Sequence, residues 1–204
     1  MAVELLNIDC MEYMRGLPDK AFDLACVDPP YGIGVTKMNM GGRKTAKKDL
    51  TKSWDSCVPD GAYFLELFRI SKAQVIWGGN YFCLPCSQYF AIWDKGETMY
   101  GRDFAECEYA WVSGGGTRIF KLNPNQPDRF HPTQKPVKLY EWILANYAKQ
   151  GDRILDTHLG SGSSAIAAHY GGFDFVGCEL DTDYFNAAKQ RFDQATAQLA
   201  MFGA

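Results

Sequence analysis

"RILDTHLGSGSSAIAAHYGGFDFVGCELD", residues 153–181, decides the fold. An apolar run ends on Asp156, two glycines follow at 160 and 162, an alanine-rich stretch comes next, and a second apolar run ends on Glu179. That order reads as strand, tight turn, helix, strand, acid. Gly160 to Ala165 matches G-x-G-x-x-A, and the acid stands nineteen residues after the first glycine. Glycines allow a close backbone approach to a ligand, and a carboxylate after the second strand suits the two hydroxyls of a ribose. The pattern fits a dinucleotide or any other adenosine-containing cofactor. Asp156, Thr157 to Ser161 and Gly162 therefore form one candidate site, and the alternative is a plain strand-to-helix turn. About forty residues follow the turn, enough for one more strand and helix. The remaining strands are expected upstream, with the cofactor half of the sheet last in the chain.

Working outward, "VELLNI" (3–8) and "FDLACV" (22–27) read as strands, the second apolar enough to be buried on both faces of a parallel sheet. "CMEYMRGL" (10–17) reads as a short helix, and 60–72 as an amphipathic helix capped by Asp60. "QVIWGG", "QYFAIWDK" and "EYAWVS" read as further strands. Residues 114–134, rich in Gly, Pro and Asn, are expected to be a long loop, and 33–57 a flexible one. Helices follow at 136–151 and, capped by Asp181, over the closing segment. Strands alternating with helices predict an α/β fold, a largely parallel, doubly wound Rossmann-like sheet in one domain over residues 1–204. Ligands of such sheets sit beyond the carboxyl ends of the strands.

A second candidate site lies at such an end. "DPPY", Asp28 to Tyr31, terminates the buried strand with a charge, two prolines and an aromatic ring. Proline fixes φ and has no N–H, so Pro29 and Pro30 stiffen the backbone and leave carbonyl acceptors without competing donors. Asp28 adds an ionised acceptor. Two converging acceptors suit a planar amino group such as the exocyclic amine of a nucleobase, and Tyr31 offers a ring for the base to stack on.

The net charge of -3 argues against a chain that coats nucleic acid over its whole surface. Residues 36–52 nevertheless hold Lys37, Arg43, Lys44, Lys47, Lys48 and Lys52 against the single acid Asp49, a candidate phosphate-binding patch or a solvated loop. The seven cysteines are expected to be reduced and mostly buried in apolar strands. Cys83 and Cys86 have metal or redox spacing in "CLPC", but no second pair or spaced histidine completes a site, so no metal is expected. Without a leader-like start or a long apolar run, the chain is expected in the cytoplasm, away from membrane.

Together "VDPPYG", "HPTQKP" (131–136) and the 153–181 stretch resemble the amino-group DNA methyltransferases of the beta arrangement, in which DPPY precedes the cofactor half. "WGGNYF" (77–82) and "IWDK" (92–95) are similar to the small phage or prophage adenine methyltransferases. The resemblance implies S-adenosylmethionine as methyl donor, double-stranded DNA as partner, and a flipped-out adenine methylated at N6. It implies that Asp28 and the Pro29 carbonyl accept the amine hydrogens, and that Tyr31 stacks on the base. It further implies Glu179 on the cofactor ribose, Gly160, Ser161 and Gly162 along the methionine part, Asp9 and Cys10 near the adenine, and Thr133, Gln134, Lys135 and Pro136 closing the methionine end. A homodimer is left open. Where the family shows D-P-F-x-G-S-G this chain has "DTHLGSG", so His158 replaces a phenylalanine, either as a ring in the wall or as an imidazole with a role. His131 reads as a structural hydrogen-bonder, and His169 carries no functional signal.

Other readings stay open. A cytosine-N4 methyltransferase shares the chemistry, and that group more often has Ser at the first position of the elbow. RNA or protein amide methyltransferases often begin the elbow with Asn. A nicotinamide oxidoreductase explains the glycine turn but gives DPPY and HPTQKP no task, and a non-catalytic DNA-binding module needs neither Glu179 nor the glycines.

Overall fold

The computed structural model describes residues 1–34, 54–103, 105–125, 129–131 and 133–202. Eight strands form one sheet: β1 (Val3–Leu6), β2 (Phe22–Val27), β3 (Ser71–Trp77), β4 (Tyr89–Asp94), β5 (Cys107–Val112), β6 (Arg118–Lys121), β7 (Arg153–Asp156) and β8 (Asp174–Cys178). Their spatial order is β1-β8-β7-β2-β3-β5-β4-β6. Five α-helices accompany them among the described residues: α1 (Cys10–Arg15), α2 (Gly61–Ile70), α3 (Val137–Tyr147), α4 (Ser163–Gly171) and α5 (Thr182–Phe202).

The helices start where the sequence supplies caps. Asp9 accepts from the Met11 and Glu12 amides at α1, Asp60 accepts from Tyr63 at α2, and Asp181 accepts from Asp183 and Tyr184 at α5, each satisfying amides that lack an intrahelical partner. One face of the sheet packs α1 and α2 through Met14, Tyr63, Leu67 and Ile70 against Ala25, Val27 and Ile76. The other packs α3 and α4 through Leu139, Ile143, Ala165 and Ala168 against Leu24, Cys26, Val75 and Ile154. Strand residues of alternating parity go to opposite faces, so β2 is apolar from Leu24 to Val27, where both faces are covered.

β2 and β7 are neighbours, with Leu24 opposite Ile154 and Ala25 opposite Leu155. From β2 the chain crosses through α2 to β3, and from β7 it crosses through α4 to β8 on the other side. The two crossovers diverge, opening a crevice at the carboxyl ends of β2 and β7. Both sequence motifs therefore meet at the switch point of the sheet.

The sheet is largely parallel, as expected: among the described strands only β5 is reversed, pairing antiparallel with both β3 and β4. Two expectations need correction. Residues 114–134 are not all loop, because Arg118–Lys121 adds an edge strand to β4 despite its Gly-rich approach. The cysteines are all free, but Cys57, Cys83, Cys86 and Cys107 are exposed, and only Cys26 and Cys178 are fully buried. Among the described residues no helix is long and apolar enough to cross a membrane.

Candidate active site

The elbow after β2 is fixed from several sides. Asp55, itself buried, accepts from the Tyr31 amide at 2.8 Å and the Gly32 amide at 2.9 Å through one carboxylate oxygen. The Tyr31 hydroxyl donates to Asp28 Oδ1 at 2.6 Å. Burial first, and the Asp28 carboxylate second, hold the Tyr31 phenol well above its ordinary pKa, so it remains a donor. Its ring stacks on Tyr81 with centroids 4.8 Å apart and planes 12° from parallel. Gly78, at φ +70°, lets the chain pass against that ring, since a Cβ there would lie 2.2 Å from Tyr31 Cε1.

The second oxygen of Asp28 takes a partner from far along the chain. Lys135 Nζ donates to Oδ2 at 2.6 Å and lies 3.1 Å from Glu108 Oε2, while Lys95 Nζ is 3.0 Å from Glu108 Oε1. Burial works against the Lys135 ammonium, but Asp28 and Glu108 outweigh it and raise its pKa. Burial likewise opposes the Glu108 carboxylate, and Lys135 and Lys95 reverse that effect, lowering its pKa. The reversed direction of β5 explains how Glu108 arrives. Glu108 is the second residue of that strand, so an amino end stands at the edge where its neighbours present carboxyl ends. Lys95 follows the carboxyl end of β4 at the same edge.

Across the crevice, the turn after β7 is built around Asp156, which accepts from Ser164 Oγ at 2.6 Å and the His158 amide at 3.0 Å. Burial raises its pKa to about 7. Gly160 and Gly162 have φ of +52° and +75°, a region that suits glycine. Glu179 Oε2 accepts from the Gly160 amide and Oε1 from the Asp181 amide, both at 2.9 Å, which sets the carboxylate against the turn. Burial raises the Glu179 pKa, and those amides partly offset it. The Glu179 amide bonds to Leu6 O, which brings β1 and the Asp9-Cys10 segment beside it. Burial, reinforced by Asp9, pushes the Cys10 thiol up to about 12.

The structure thus brings together Asp28 to Tyr31, Asp156 to Gly162, Glu179, Asp9 and Cys10 along one edge. The HPTQKP residues divide. Thr133 Oγ1 lies 3.2 Å from His131 Nδ1, Gln134 Oε1 accepts from the Phe130 amide, and Pro136 occupies the position before α3. The Lys135 side chain runs to the elbow, where two carboxylates draw it. Ser161 is tied to α5, its carbonyl accepting from Arg191 and its hydroxyl 3.1 Å from Ser163 Oγ. The His131 ring packs edge-on against Tyr184 at 4.4 Å. Lys37, Arg43, Lys44, Lys47, Lys48 and Lys52 lie outside the described residues. No group of metal-ligating side chains occurs among the described residues. Asp55, Tyr81, Glu108 and Lys95 were not singled out from sequence, although "WGGNYF" and "IWDK" contain two of them.

His158 lies edge-on to Tyr63, and its Nδ1 is 2.9 Å from Thr157 Oγ1, which in turn is 2.6 Å from the Tyr63 hydroxyl. Burial lowers its pKa to about 4, so at neutral pH the ring is uncharged wall. A histidine that titrates near 6.5 when unfolded and near 4 when folded costs nothing above 6.5, and destabilises the fold progressively as pH falls between those values. His158→Phe is expected to remove about 2 kcal/mol of the stability lost between pH 7 and pH 4.5. Urea denaturation of both proteins at the two pH values checks this, and identical pH dependence would refute it. Asp156 remains in both proteins, so its own titration cancels in the difference.

Residues 92–190 match the family model described as DNA methylase, N6_N4_Mtase. YubD of Escherichia coli (strain K12), named as a methylase, is 26% identical over 215 residues, covering 95% of this chain and 90% of that protein. Among solved structures, the M1.HpyAVI–SAM complex aligns with a TM-score of 0.59 at 21% identity, over 93% of this chain and 100% of that one. The PvuII DNA methyltransferase, cytosine-N4-specific, aligns with a TM-score of 0.61 at 12% identity, over 97% and 91% of the two chains. Those two likenesses establish the fold. The elbow beside the glycine turn, the matched segment and the similarity along most of the chain make this chain similar to the amino-group DNA methylases of the N6/N4 family.

Proposed function

We propose that this chain transfers a methyl group from S-adenosylmethionine to the N6 amine of an adenine flipped out of double-stranded DNA. The observation that carries the reading is the adjacency of β2 and β7, which sets the Asp28 carboxylate beside the Gly160 turn. The donor set fits the cofactor. Glu179 is a carboxylate locked by two amides, and each of its oxygens retains acceptor capacity for a ribose hydroxyl. Gly160 presents backbone without a side chain, and the uncharged His158 adds wall beside it. M1.HpyAVI, which shares the fold, is described with SAM bound.

The cofactor supplies an electrophilic methyl group on a sulfonium sulfur. Asp28 and the Pro29 carbonyl accept the two hydrogens of the base amine, which aims its lone pair at that carbon. As the N–C bond forms and the C–S bond breaks, Asp28 stabilises positive charge growing on nitrogen, and the surplus proton leaves to Asp28 or water. Tyr31 stacks on Tyr81 and holds Asp28 through its hydroxyl, which fixes the ring within the elbow.

Asp28 favours adenine over cytosine, because the cytosine-N4 relatives more often carry Ser at that point. The test is methylation of unmodified plasmid DNA by the purified protein and S-adenosylmethionine, followed by mass spectrometry of the released nucleosides. N6-methyldeoxyadenosine is the expected product. N4-methyldeoxycytidine would overturn the base assignment, and the absence of any methylated nucleoside would overturn the reading as a whole.

A further inference from the structure

Four side chains of alternating charge run from the crevice to the rim of the sheet: Asp28, Lys135, Glu108 and Lys95. They come from four separate segments. The Lys135 side chain is only 4% exposed, yet it reaches two carboxylates and lies over the rings of Trp77 at 5.3 Å and Tyr31 at 5.7 Å. A buried ammonium is costly unless its partners are well placed. Here the partners are the elbow carboxylate itself and a residue delivered by the one reversed strand.

We propose that Lys135 is a positioning residue for the amine-accepting elbow, with Glu108 holding Lys135 from behind. This rests on the proposed methyl transfer. Asp28 can rotate about its side-chain bonds, and the Tyr31 hydroxyl holds only Oδ1. Lys135 holds Oδ2, so the two contacts together fix the plane of the carboxylate. Lys135 donates and never accepts, so it engages the carboxylate without competing for the hydrogens of the amine. Glu108 in turn keeps the ammonium from swinging toward the crevice, and Lys95 balances the remaining charge of Glu108.

A positioning role predicts a loss in turnover without a loss in binding. Lys135→Met is expected to lower kcat about 30-fold, while the KM for DNA and the Kd for S-adenosylmethionine stay within about threefold. Lys135→Arg, which keeps the charge, is expected to recover about half of the logarithmic loss. Glu108→Gln keeps the shape and one acceptor, and is expected to lower kcat about fivefold. The measurements are steady-state kinetics on plasmid DNA and calorimetric titration with S-adenosylmethionine, with the wild type in parallel. An unchanged kcat in Lys135→Met would overturn the inference. So would a Kd for the cofactor that rises as much as kcat falls, which would place Lys135 in the cofactor site. If Lys135→Met does not fold, Glu108→Gln decides, and a wild-type kcat in that variant overturns the inference. An inactive wild type would instead defeat the methyl-transfer reading.

Discussion

Asp28→Ala is expected to lower methylation about a thousandfold while leaving the affinity for S-adenosylmethionine within a few-fold of wild type. The size follows from what the carboxylate touches. It would orient the amine and meet the developing charge, two contributions that act on the same atom and disappear together. The fold should survive, because Lys135 keeps Glu108 as a counter-ion at 3.1 Å and the elbow keeps its Asp55 anchor. The Tyr31 hydroxyl loses its acceptor, a modest loss next to the effect on rate. Asp28→Asn should be almost as severe. Its amide can accept from either Tyr31 or Lys135, but its NH2 group must then face the other donor. Turnover near wild type in either variant, measured by tritium transfer to DNA, would remove Asp28 from the reaction.

Gly78→Ala has the second-largest expected effect, and it acts without removing a polar group. Two costs combine at this position. The residue has φ +70°, where an alanine is strained, and its Cβ would fall 2.2 Å from Tyr31 Cε1 and 2.6 Å from Cδ1 and Cζ. The ring cannot retreat freely, because Tyr81 lies parallel to it at 4.8 Å and its hydroxyl is bonded to Asp28. A destabilisation of about 3 kcal/mol is expected. Methylation is expected to fall about a hundredfold, because displacement of the ring releases Asp28 Oδ1. Gly101→Ala separates the two costs: its φ is +69°, yet nothing lies within 4 Å of the added carbon. That variant should lose about 1 kcal/mol and keep its activity. Equal losses of stability in both variants, by thermal unfolding, would show that crowding against Tyr31 contributes nothing.

Local chemistry made much of this architecture legible. The glycine turn, the acid at Glu179 and the apolar strand before Asp28 each announce themselves in a few consecutive residues, and the structure places them where such residues belong in a twisted α/β sheet. The caps Asp60 and Asp181 follow from side chains that reach amides two or three residues away. The features that escaped depend on partners distant in sequence. Nothing in "EYAWVS" specifies that β5 runs backwards, because an apolar run has no direction. Lys135 sits 107 residues from Asp28, and only the assembled sheet reveals that they touch. The short β6 escaped because its four residues gain their pairing from β4, not from their own composition. Tyr31 likewise offered a ring without indicating that Tyr81 already covers one face of it.

The pairing of the first strand, β1, with the last, β8, has a kinetic consequence. Val3 is registered with Phe175, and Leu24 with Ile154. During synthesis β2, α2 and β3 can associate early, whereas β1 waits for β8. At about 5–20 residues per second, that wait is on the order of ten to thirty seconds. The strand that carries the elbow can therefore pair before the turn beside it exists, and a ribosome-bound chain halted before residue 174 carries Asp28 but lacks both β8 and Glu179. A chain cut short there therefore lacks the partner of its first strand and the acid after the glycine turn together.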